Sequence, residues 1–401
     1  MPYDVAALRD HFPSLASGVA HFDGPGGTQT PLVVAEAIAA TLMGSLSNRG
    51  TVSGSERNAD AAVAAFRAAY ADLLGFSANG IVYGRSATQL TYDISRAIAK
   101  TWASGDEVVV SRLDHDGNVR PWVQAAEAVG ATIRWIDVDP ATGEVDLDSV
   151  AVAVTPATRL VAITGASNLI GTIPPHRRIA DLAHAVGALV YIDAVHYAAH
   201  EFVDPAALGA DFIVCSPYKF LGPHCGVLGA DPALLEQFWP DKLLPSSTVV
   251  PERYELGTLP YETLAGATAA VDFLAAIAPG NGTTRREQLR NSFAAIDDYE
   301  IALRQRLEAG LSSMTGVVVH SRAAHRTPTL LLSLPGRKTR DAYEFLATRN
   351  VLAPAGQFYA YEPYRRLGID DDGGLRLGLA PYSTAEEVDR ALAALSDFLA
   401  S

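Results

Sequence analysis

Apolar and polar residues follow two alternating patterns from about residue 60 to residue 230. Short runs rich in β-branched and aromatic residues, which favour strands, are separated by alanine-rich segments with the spacing of amphipathic helices. Examples of the helical pattern are "VRPWVQAAEAVG" and "RRIADLAHAVG", and the second ends on glycine, a usual helix stop. The predicted strands are "IVYG" (81–84), "EVVVSR" (107–112), "TIRWIDV" (132–138), "RLVAITGAS" (159–167), "ALVYIDAV" (188–195) and "DFIVCS" (211–216).

This alternation predicts an α/β fold with a mainly parallel sheet that is covered by helices. The strand candidates are almost continuously apolar, as expected for strands that are buried on both faces. In open sheets of this kind, ligands bind beyond the carboxyl ends of the strands. The residues that directly follow each strand are therefore the candidates for a functional site.

The pattern changes from about residue 285. The segment 285–311 predicts a long amphipathic helix, and the apolar residues on its inner face are Leu289, Phe293, Ile296, Leu303 and Leu307. Shorter strand and helix patterns follow, which predicts a smaller α+β domain. With "APGNGTT" as the boundary, we predict an N-terminal segment (1–20) that packs with the small domain, a large domain (21–280) and a small C-terminal domain (281–401).

The composition is that of a globular protein, with 49% hydrophobic and 19% charged residues among 401. The formal net charge of −14 argues against a nucleic-acid partner, because such proteins carry a basic surface. Two cysteines cannot build a disulfide framework, which fits a reducing compartment. The N-terminus lacks the apolar region of a signal peptide, and no apolar run reaches the ~18 residues of a membrane helix. We therefore expect a soluble, cytoplasmic protein without a membrane partner.

Several common ligand motifs are absent from the chain. No G-x-x-x-x-G-K-[ST] segment occurs, which disfavours a P-loop nucleotide hydrolase. "GPGG" (24–27) lacks the spacing of G-x-G-x-x-G, which disfavours a nicotinamide dehydrogenase. The histidines and cysteines lack zinc spacing, and "DHDG" (114–117) and "DDDGG" (370–374) lack the glutamate that closes a calcium loop. We interpret these two acidic segments as solvated turns and expect no metal.

Lysine is rare in this chain, and one of its four lysines follows a predicted strand. Lys219 lies in "ADFIVCSPYKFLG", between Tyr218 and Phe220. Unlike arginine, a lysine amine can lose its proton and attack a carbonyl group. Its ordinary pKa is ~10.4, so this chemistry near neutral pH needs burial or a nearby positive charge, and an apolar strand end could provide the burial. The alternative is a surface lysine whose ammonium group lies in water.

Two other strand ends carry candidate groups. Asp193, at the end of "ALVYID", is either the N-cap of a following helix or a carboxylate that faces a cationic ring. His196 is either a buried polar residue or a donor to a ligand oxygen. After the strand that ends at Gly84, Ser86 and Thr88 begin a helix, where hydroxyl and backbone N–H groups could bind a phosphate. A reactive lysine, an aspartate for a ring nitrogen and a phosphate pocket together indicate pyridoxal phosphate.

These segments resemble the class V aminotransferase family of fold-type I pyridoxal-phosphate-dependent transferases, and especially its cysteine-desulfurase-like branch. The resemblance runs in order through nearly the whole chain. It implies a large domain with a mainly parallel, seven-stranded sheet covered by helices, and a smaller α+β domain at the C-terminus. It also implies pyridoxal 5'-phosphate as the cofactor and an amino acid as the substrate.

Three segments around the predicted cofactor ring carry this resemblance. "SPYKFLGPHCG" is similar to the family's Ser-x-x-Lys-x-x-Gly-Pro segment, which implies that Lys219 forms the Schiff base and that Ser216 binds the phosphate. "YIDAVH" is similar to the aspartate segment, with Asp193 under the ring nitrogen and His196 at the phenolic oxygen. "SNLIGTIPP" is similar to the asparagine segment, with Asn168 near that oxygen and the substrate.

Three further segments match in the same order. "DHDGNVRPW" resembles the segment whose histidine stacks on the cofactor, here His115. "ELGTLPYE" resembles the stretch in which a threonine, here Thr258, contacts the phosphate of the partner subunit, which implies a homodimer. "LRLGLAPYST" resembles the segment with the arginine that binds the substrate carboxylate, here Arg376. The resemblance implies three catalytic residues, Lys219, His115 and Asp193, and a phosphate site that includes Ser86, Ala87 and Thr88.

One departure from the family concerns the reaction. Cysteine desulfurases carry a reactive cysteine on a small-domain loop, and the matching stretch "APAGQFYAYEP" has Tyr359 in its place. Cys215 lies in a predicted strand and Cys225 in "GPHCG", and neither is on a movable loop of the kind that a sulfur carrier needs. We expect Tyr359 to shape the substrate pocket instead.

We therefore predict a pyridoxal-phosphate-dependent enzyme that acts on an amino acid through a Lys219 aldimine and a Cα carbanion, and we favour an aminotransferase. β-Elimination and epimerisation share the removal of the Cα proton. The alternatives are a cysteine desulfurase or a cysteine or selenocysteine lyase and, from another class, a non-catalytic regulator that binds pyridoxal phosphate. A nicotinamide dehydrogenase is the third alternative.

Overall fold

The computed structural model describes residues 3–369 and 373–401; residues 1–2 of the predicted N-terminal segment and 370–372 of the predicted "DDDGG" turn lie outside this range. Its α-helices, α1 to α14 in chain order, are Val5–Arg9, Leu32–Met43, Gly54–Leu74, Ala87–Ala99, Arg120–Val129, Leu147–Ala153, His176–Ala185, Pro205–Leu208, Pro232–Leu235, Tyr261–Ala276, Arg285–Ser312, Thr339–Ala347, Tyr361–Arg366 and Ala385–Ala400. Its strands, β1 to β13, are Ala20–His21, Ile81–Gly84, Glu107–Ser111, Thr132–Ile136, Thr158–Thr164, Leu189–Asp193, Phe212–Cys215, Gly226–Ala230, Val318–Val319, Thr329–Ser333, Val351–Leu352, Ala355–Gly356 and Gly374–Gly378. None of the helices in the described ranges combines the length and the apolar character needed to cross a lipid bilayer.

A seven-stranded sheet forms the centre of the predicted large domain, in the order β2-β8-β7-β6-β5-β3-β4. All six strands that the sequence predicts between residues 81 and 216 are present in this sheet. The neighbours from β7 to β4 pair in parallel, whereas β8 is antiparallel to both β7 and β2. The sequence pattern does not predict β8, because "GVLGA" contains two glycines and glycine is depleted in strands.

Helices cover both faces of this sheet because the side chains of each strand alternate between two cores. In β3, Val108 and Val110 face a core that includes α4 and α5, whereas Val109 faces the opposite core with α3, α7 and α10. All three valines are fully buried, which explains the continuous apolar runs in the sequence. Because β3, β5, β6 and β7 are parallel, their carboxyl ends meet at one edge of the sheet.

The predicted small domain contains a four-stranded antiparallel sheet in the order β12-β13-β10-β9, and α11, α12 and α14 contribute to the core beside it. The 28-residue α11 begins at a capping box on Thr284. The five apolar residues predicted on its inner face are all buried. Leu289 and Ile296 pack in the core of the large domain, whereas Leu303 and Leu307 pack in the core of the small domain. One helix is therefore shared by both cores.

The N-terminal segment contacts both domains. Arg9 forms an ion pair with Glu387 of α14 at 2.9 Å, and β1 pairs in parallel with β11. The rings of His11 and Phe12 also contact the ring of Phe273 in α10, at centroid distances of 5.3 and 5.7 Å. The N-terminal segment therefore packs against the large domain as well as against the small domain. The predicted division into domains stays a prediction.

Gly226 permits the close packing of β8 against the start of α4. A Cβ atom at this position would lie 2.3 Å from the backbone carbonyl carbon of Ser86 and 2.5 Å from the backbone nitrogen of Ala87. We predict that Gly226→Ala lowers the free energy of unfolding by about 1–3 kcal/mol, because the backbone at the start of α4 must move. Urea denaturation measures this loss.

The matched control is Gly54→Ala, in the first turn of α3. A Cβ atom there meets only the end of the Arg57 side chain, at 4.0 Å. We expect a change within about 0.5 kcal/mol for this variant. Equal losses of stability in the two variants would contradict the packing role of Gly226.

Candidate active site

A cavity of about 330 Å³ opens at the carboxyl edge of the central sheet. This volume lies within the range of small-molecule sites, about 300–1,000 Å³. All of the predicted site residues except Thr258 line it, although they are distant in sequence. The predicted residues that the fold brings together here are Ser86, Ala87, Thr88, His115, Asn168, Asp193, His196, Ser216, Lys219, Tyr359 and Arg376.

Lys219 ends a short 3₁₀ turn that follows β7, and this turn directs its side chain into the cavity. Its ammonium nitrogen lies 4.8 Å from the centre of the Tyr218 ring and donates a hydrogen bond to the carbonyl oxygen of Pro25. The amine is therefore held inside the protein. A surface lysine with its ammonium group in bulk water does not describe this position.

The surroundings of Lys219 determine its ionisation. Burial lowers the pKa of its amine to about 7, and the charge of Arg376 acts in the same direction, whereas Asp193 opposes both. Asp193 ends β6 and accepts a hydrogen bond from the backbone N–H of Val195 at 2.9 Å. Burial raises the pKa of its carboxyl group to about 6, against that hydrogen bond and the charge of Lys219. Asp193 thus makes the local bond expected of a cap and also lines the cavity.

His115 presents its ring to the cavity from the loop after β3. Its Nδ1 atom accepts a hydrogen bond from the backbone N–H of Gly117 at 2.9 Å, which leaves the ring proton of the neutral form on Nε2. Burial, followed by the charge of Lys219, lowers the pKa of the imidazole to about 4. The preceding Asp114 is fully buried and accepts a hydrogen bond from Asn118 at 2.7 Å, so the predicted solvated turn is wrong at this residue.

Arg376, in β13, reaches the cavity from the small domain. It is 2% exposed, and its Nη1 group donates to the carbonyl oxygen of Asn168 at 2.9 Å. Burial lowers the pKa of its guanidinium group to about 9. Among the described residues, neither its Nε atom nor the Oδ1 atom of Asn168 has a hydrogen-bond partner, although both atoms are buried. Buried polar atoms are normally paired, so a polar ligand would complete this part of the site.

The start of α4 forms the third part of the cavity. Ser86 is its N-cap and accepts a hydrogen bond from the backbone N–H of Gln89 at 3.1 Å. Ala87 and Thr88 follow in the first turn, and Ser216 lines the cavity after β7. The first N–H groups of a helix lack partners within the helix and attract anions. This arrangement fits a phosphate group, as the sequence predicts.

The structure gives surroundings for three of the predicted residues, His196, Tyr359 and Thr258, that could not be inferred from the sequence. The Nε2 atom of His196 is within hydrogen-bond distance of the hydroxyl groups of Thr327 and Thr329, at 2.9 and 3.1 Å, and burial lowers the pKa of its ring well below the usual value. Tyr359 is 80% exposed at the opening of the cavity. Thr258 is exposed and lies outside the cavity, so its contact with a partner's phosphate stays a prediction.

Nine residues of the cavity lining were not identified as site residues from the sequence, and four of these lie beside Lys219 or Arg376. Pro25 and Gly26 belong to "GPGG", which was considered only as a dinucleotide motif, and Tyr218 was considered only as an apolar neighbour. Phe358 lies beside Tyr359, and its ring centre is 3.8 Å from the guanidinium carbon of Arg376. The glycine-rich segment at 24–27 could have indicated Pro25 and Gly26 as site residues.

Comparison with known proteins defines the class to which this chain belongs. A model of the family "Aminotransferase class-V" matches residues 20–391, so the chain belongs to this family. It is 32% identical to an uncharacterized protein of Mycobacterium tuberculosis, over 99% of each chain. It is 30% identical to an aminotransferase-like protein of Gibberella zeae, over 98% of each chain. The crystal structure of the cysteine desulfurase CsdA from Escherichia coli has a TM-score of 0.87 and 26% identity, with 100% of this chain and 99% of that chain covered.

These findings confirm the predicted family and fold class. They also confirm the cofactor at the level of the family, which uses pyridoxal 5'-phosphate. Because the relatives include both an aminotransferase-like protein and a desulfurase, family membership does not distinguish the transfer of an amino group from desulfuration.

We predict that Lys219 reacts with pyridoxal phosphate with a midpoint near pH 7. Only the neutral amine attacks an aldehyde, and with a pKa of about 7 the neutral fraction rises as the pH rises through that value. Incubation of cofactor-free protein with the cofactor between about pH 5 and pH 10, followed by borohydride reduction and peptide mass spectrometry, measures the attachment at each lysine.

Exposed Lys338 in the same digest is the control for general amine reactivity. Arg376→Gln should move the Lys219 midpoint upward, because it removes a positive charge that disfavours protonation of the amine. A Lys219 midpoint near pH 10 in the unaltered protein would show that burial does not control this amine.

Proposed function

We propose that this protein is a pyridoxal-phosphate-dependent enzyme that removes the amino group of an amino acid and transfers it to an acceptor. The observation that carries this proposal is the convergence of the Lys219 amine, the Asp193 carboxyl group and the Arg376 guanidinium group on one cavity. When bound, pyridoxal phosphate supplies an aldehyde that condenses with amines and an electron-accepting ring that weakens the bonds to the substrate Cα.

Each of the three residues has a task that its surroundings support. The Nζ atom of Lys219, with a pKa of about 7, can hold the cofactor and can later accept the Cα proton and return it. The buried carboxylate of Asp193 can keep the ring nitrogen protonated. The Nε atom of Arg376 has no hydrogen-bond partner among the described residues, so it is available to a substrate carboxylate.

Four other side chains would hold the cofactor. The neutral ring of His115 can stack on the cofactor. The Nδ2 group of Asn168 donates to the carbonyl oxygen of Phe358, so the Oδ1 atom of Asn168, which has no partner among the described residues, is the atom left to contact a ligand. Ser86 and Ser216 would surround the phosphate at the start of α4 together with the backbone of Ala87 and Thr88. His196 would contact the cofactor only through groups other than its Nε2 atom, which faces two threonines.

The two cysteines of the chain favour transfer of the amino group over desulfuration. Cys215 and Cys225 are 0% and 1% exposed, and neither lines the described cavity. Burial raises the pKa of the Cys225 thiol to about 12 and that of the Cys215 thiol well above its usual value. A cysteine that accepts sulfur must be an accessible thiolate, and these two are neither accessible nor readily ionised.

A cysteine desulfurase, or a cysteine or selenocysteine lyase, is the second candidate. The similarity to the E. coli desulfurase over the whole chain favours it. Such an enzyme would have to release sulfur to an acceptor from outside the chain, since Tyr359 occupies the loop position that faces the opening of the cavity.

We also infer that the protein is a homodimer whose partner completes the phosphate site. Thr258 lies outside its own subunit's cavity and is exposed. Large apolar side chains are exposed in the segments 32–52 and 239–256, among them Leu244 at 98% and Val52 at 87%. Several exposed large apolar side chains within two short segments are typical of a subunit interface.

We predict that the protein with bound cofactor transfers the amino group of an amino acid to a 2-keto acid, which yields a new 2-keto acid and a new amino acid. We also predict that it releases no sulfide from cysteine. A screen of the common amino acids, with keto-acid and sulfide detection, measures both reactions. Lys219→Arg keeps the positive charge but cannot act near neutral pH, and we expect it to lower turnover by about 10²–10⁴-fold. Release of sulfide or persulfide from cysteine that persists in the Cys225→Ser control would establish the second candidate instead.

We predict that Thr258→Ala weakens cofactor binding about tenfold without changing the dimer, because it removes one hydroxyl from the phosphate. Thr258→Ser keeps that hydroxyl and should bind the cofactor normally. Analytical ultracentrifugation checks the oligomeric state, and fluorescence titration with pyridoxal phosphate measures the affinity. A monomer with full cofactor affinity would exclude a phosphate contact across an interface.

A further inference from the structure

The loop between β12 and α13 carries two aromatic residues that wall the cavity on the side of the small domain. Phe358 and Tyr359 have φ angles of 56° and 54°, a region that residues with side chains rarely occupy. The Nδ2 group of Asn168 donates to the carbonyl oxygen of Phe358 at 2.9 Å, and the backbone N–H of Asp116 donates to that of Tyr359 at 2.8 Å. These hydrogen bonds hold the unusual backbone and thereby fix the positions from which both side chains extend.

Phe358 covers one face of the Arg376 guanidinium group. The guanidinium carbon lies 3.8 Å from the centre of the ring, which is the geometry of a cation–π contact. The hydrogen bond from Nη1 to Asn168 fixes the same group in its plane. Phe358 and Asn168 together leave the Nε side of the guanidinium group in a defined orientation, without a partner among the described residues.

Tyr359 lies where the cavity meets a wider groove. Its side chain lines the cavity and also a groove of about 960 Å³ that is formed with Asp116, Arg120 and α13. Its ring centre is 5.7 Å from that of His115. A substrate side chain that extends from the cavity toward solvent therefore passes along the ring of Tyr359.

The cavity offers no charged group to a charged substrate side chain, as far as its described lining shows. Lys219, Asp193 and Arg376 serve the cofactor and the α-carboxylate in the proposed function. His115 and His196 are uncharged at neutral pH, because burial lowers the pKa of each imidazole. Transfer of an unpaired charge from water into such a site is unfavourable.

The carboxylates of the outer groove are already paired. Asp116 forms an ion pair with Arg120 at 3.0 Å, and Glu362 forms one with Arg112 at 2.9 Å. The exposed guanidinium group of Arg365 lies over the ring of Tyr361, 5.2 Å from its centre. A basic side chain would therefore compete with existing ion pairs, and an acidic one would have to reach an exposed cation beyond Tyr359.

We propose that Phe358 and Tyr359 make this site selective for amino acids with an uncharged, apolar side chain. Tyr359 contacts the substrate side chain. Phe358 is a positioning residue that holds the guanidinium group of Arg376 for the α-carboxylate. This specificity rests on the proposed function, since it assigns the α-carboxylate of an amino acid to Arg376.

The test measures the binding of three carboxylates that lack an amine and therefore cannot react: 3-phenylpropanoate, butanoate and succinate. Calorimetric titration of the protein with bound cofactor gives each dissociation constant. We expect 3-phenylpropanoate to bind about tenfold more tightly than butanoate, because its ring contacts Tyr359, and succinate to bind most weakly. Succinate binding as tightly as 3-phenylpropanoate would overturn the proposal.

Variants of the two aromatic residues separate their roles. Tyr359→Ala should remove the tenfold preference for 3-phenylpropanoate and leave butanoate binding unchanged within about twofold, whereas Tyr359→Phe should keep the preference. Phe358→Leu should weaken all three ligands alike, by about 3-fold to 30-fold, because the cation–π contact is lost while the bulk remains. Phe358→Tyr should restore binding.

Turnover provides an independent readout for the positioning role. Phe358→Leu should raise KM for every amino acid substrate more than it lowers kcat, since it disturbs the binding of the carboxylate and not the proton transfer at Lys219. Thermal unfolding of each variant checks that the fold is intact. A fall in kcat alone, with KM unchanged, would contradict a positioning role for Phe358.

The proposed function and this specificity fail in distinguishable ways. Borohydride reduction and mass spectrometry test whether Lys219 holds the cofactor, independently of the carboxylate titrations. If Lys219 holds the cofactor and charged amino acids are the best substrates, the specificity is wrong and the function stands. If Lys219 never carries the cofactor, the function is wrong, and the same titrations of the cofactor-free protein still decide whether the two aromatic residues select an apolar carboxylate.

Discussion

The burial of one amine beside one guanidinium group is the constraint on which the site depends. In water, Lys219 would carry a proton at any cellular pH, but loss of solvent and the charge of Arg376 bring its pKa to about 7. The same burial raises the pKa of Asp193 and lowers that of His115, so one apolar environment adjusts three titrating groups. The chemistry of the site is therefore a property of the sheet edge as much as of any single residue.

The three groups lie on separate elements of the fold, and close packing between these elements holds the groups at one cavity. Asp193 ends β6, Lys219 follows β7, and Arg376 enters from β13 of the other domain. β8 lies close to the start of α4 because Gly226 has no side chain, which places the free N–H groups of that helix at the same cavity. The geometry of the site therefore depends on both sheets.

The sequence predicted the parallel part of the sheet well, because strands that are buried on both faces have an apolar pattern with few exceptions. It did not predict β8, because the glycines of this strand are required by close packing against neighbouring segments and have a low strand propensity. Most of the residues that the sequence predicts for the site line the cavity, and they could be predicted because they follow strand ends and match known segments. Asp114 and Phe358 could not, because the burial of an acidic turn and the stacking of a ring on Arg376 depend on contacts between segments that are distant in the chain.

The helix α11, shared by both cores, sets how the two domains can move. Its 28 residues form a continuous rod of about 42 Å, anchored at one end by Leu289 in the large core and at the other by Leu307 in the small core. A hinge through such a rod would break its backbone hydrogen bonds, so bending there is disfavoured. Because Arg376 lies in the sheet of the small core and Lys219 follows a strand of the large one, this stiff connection preserves the separation between the guanidinium group and the amine.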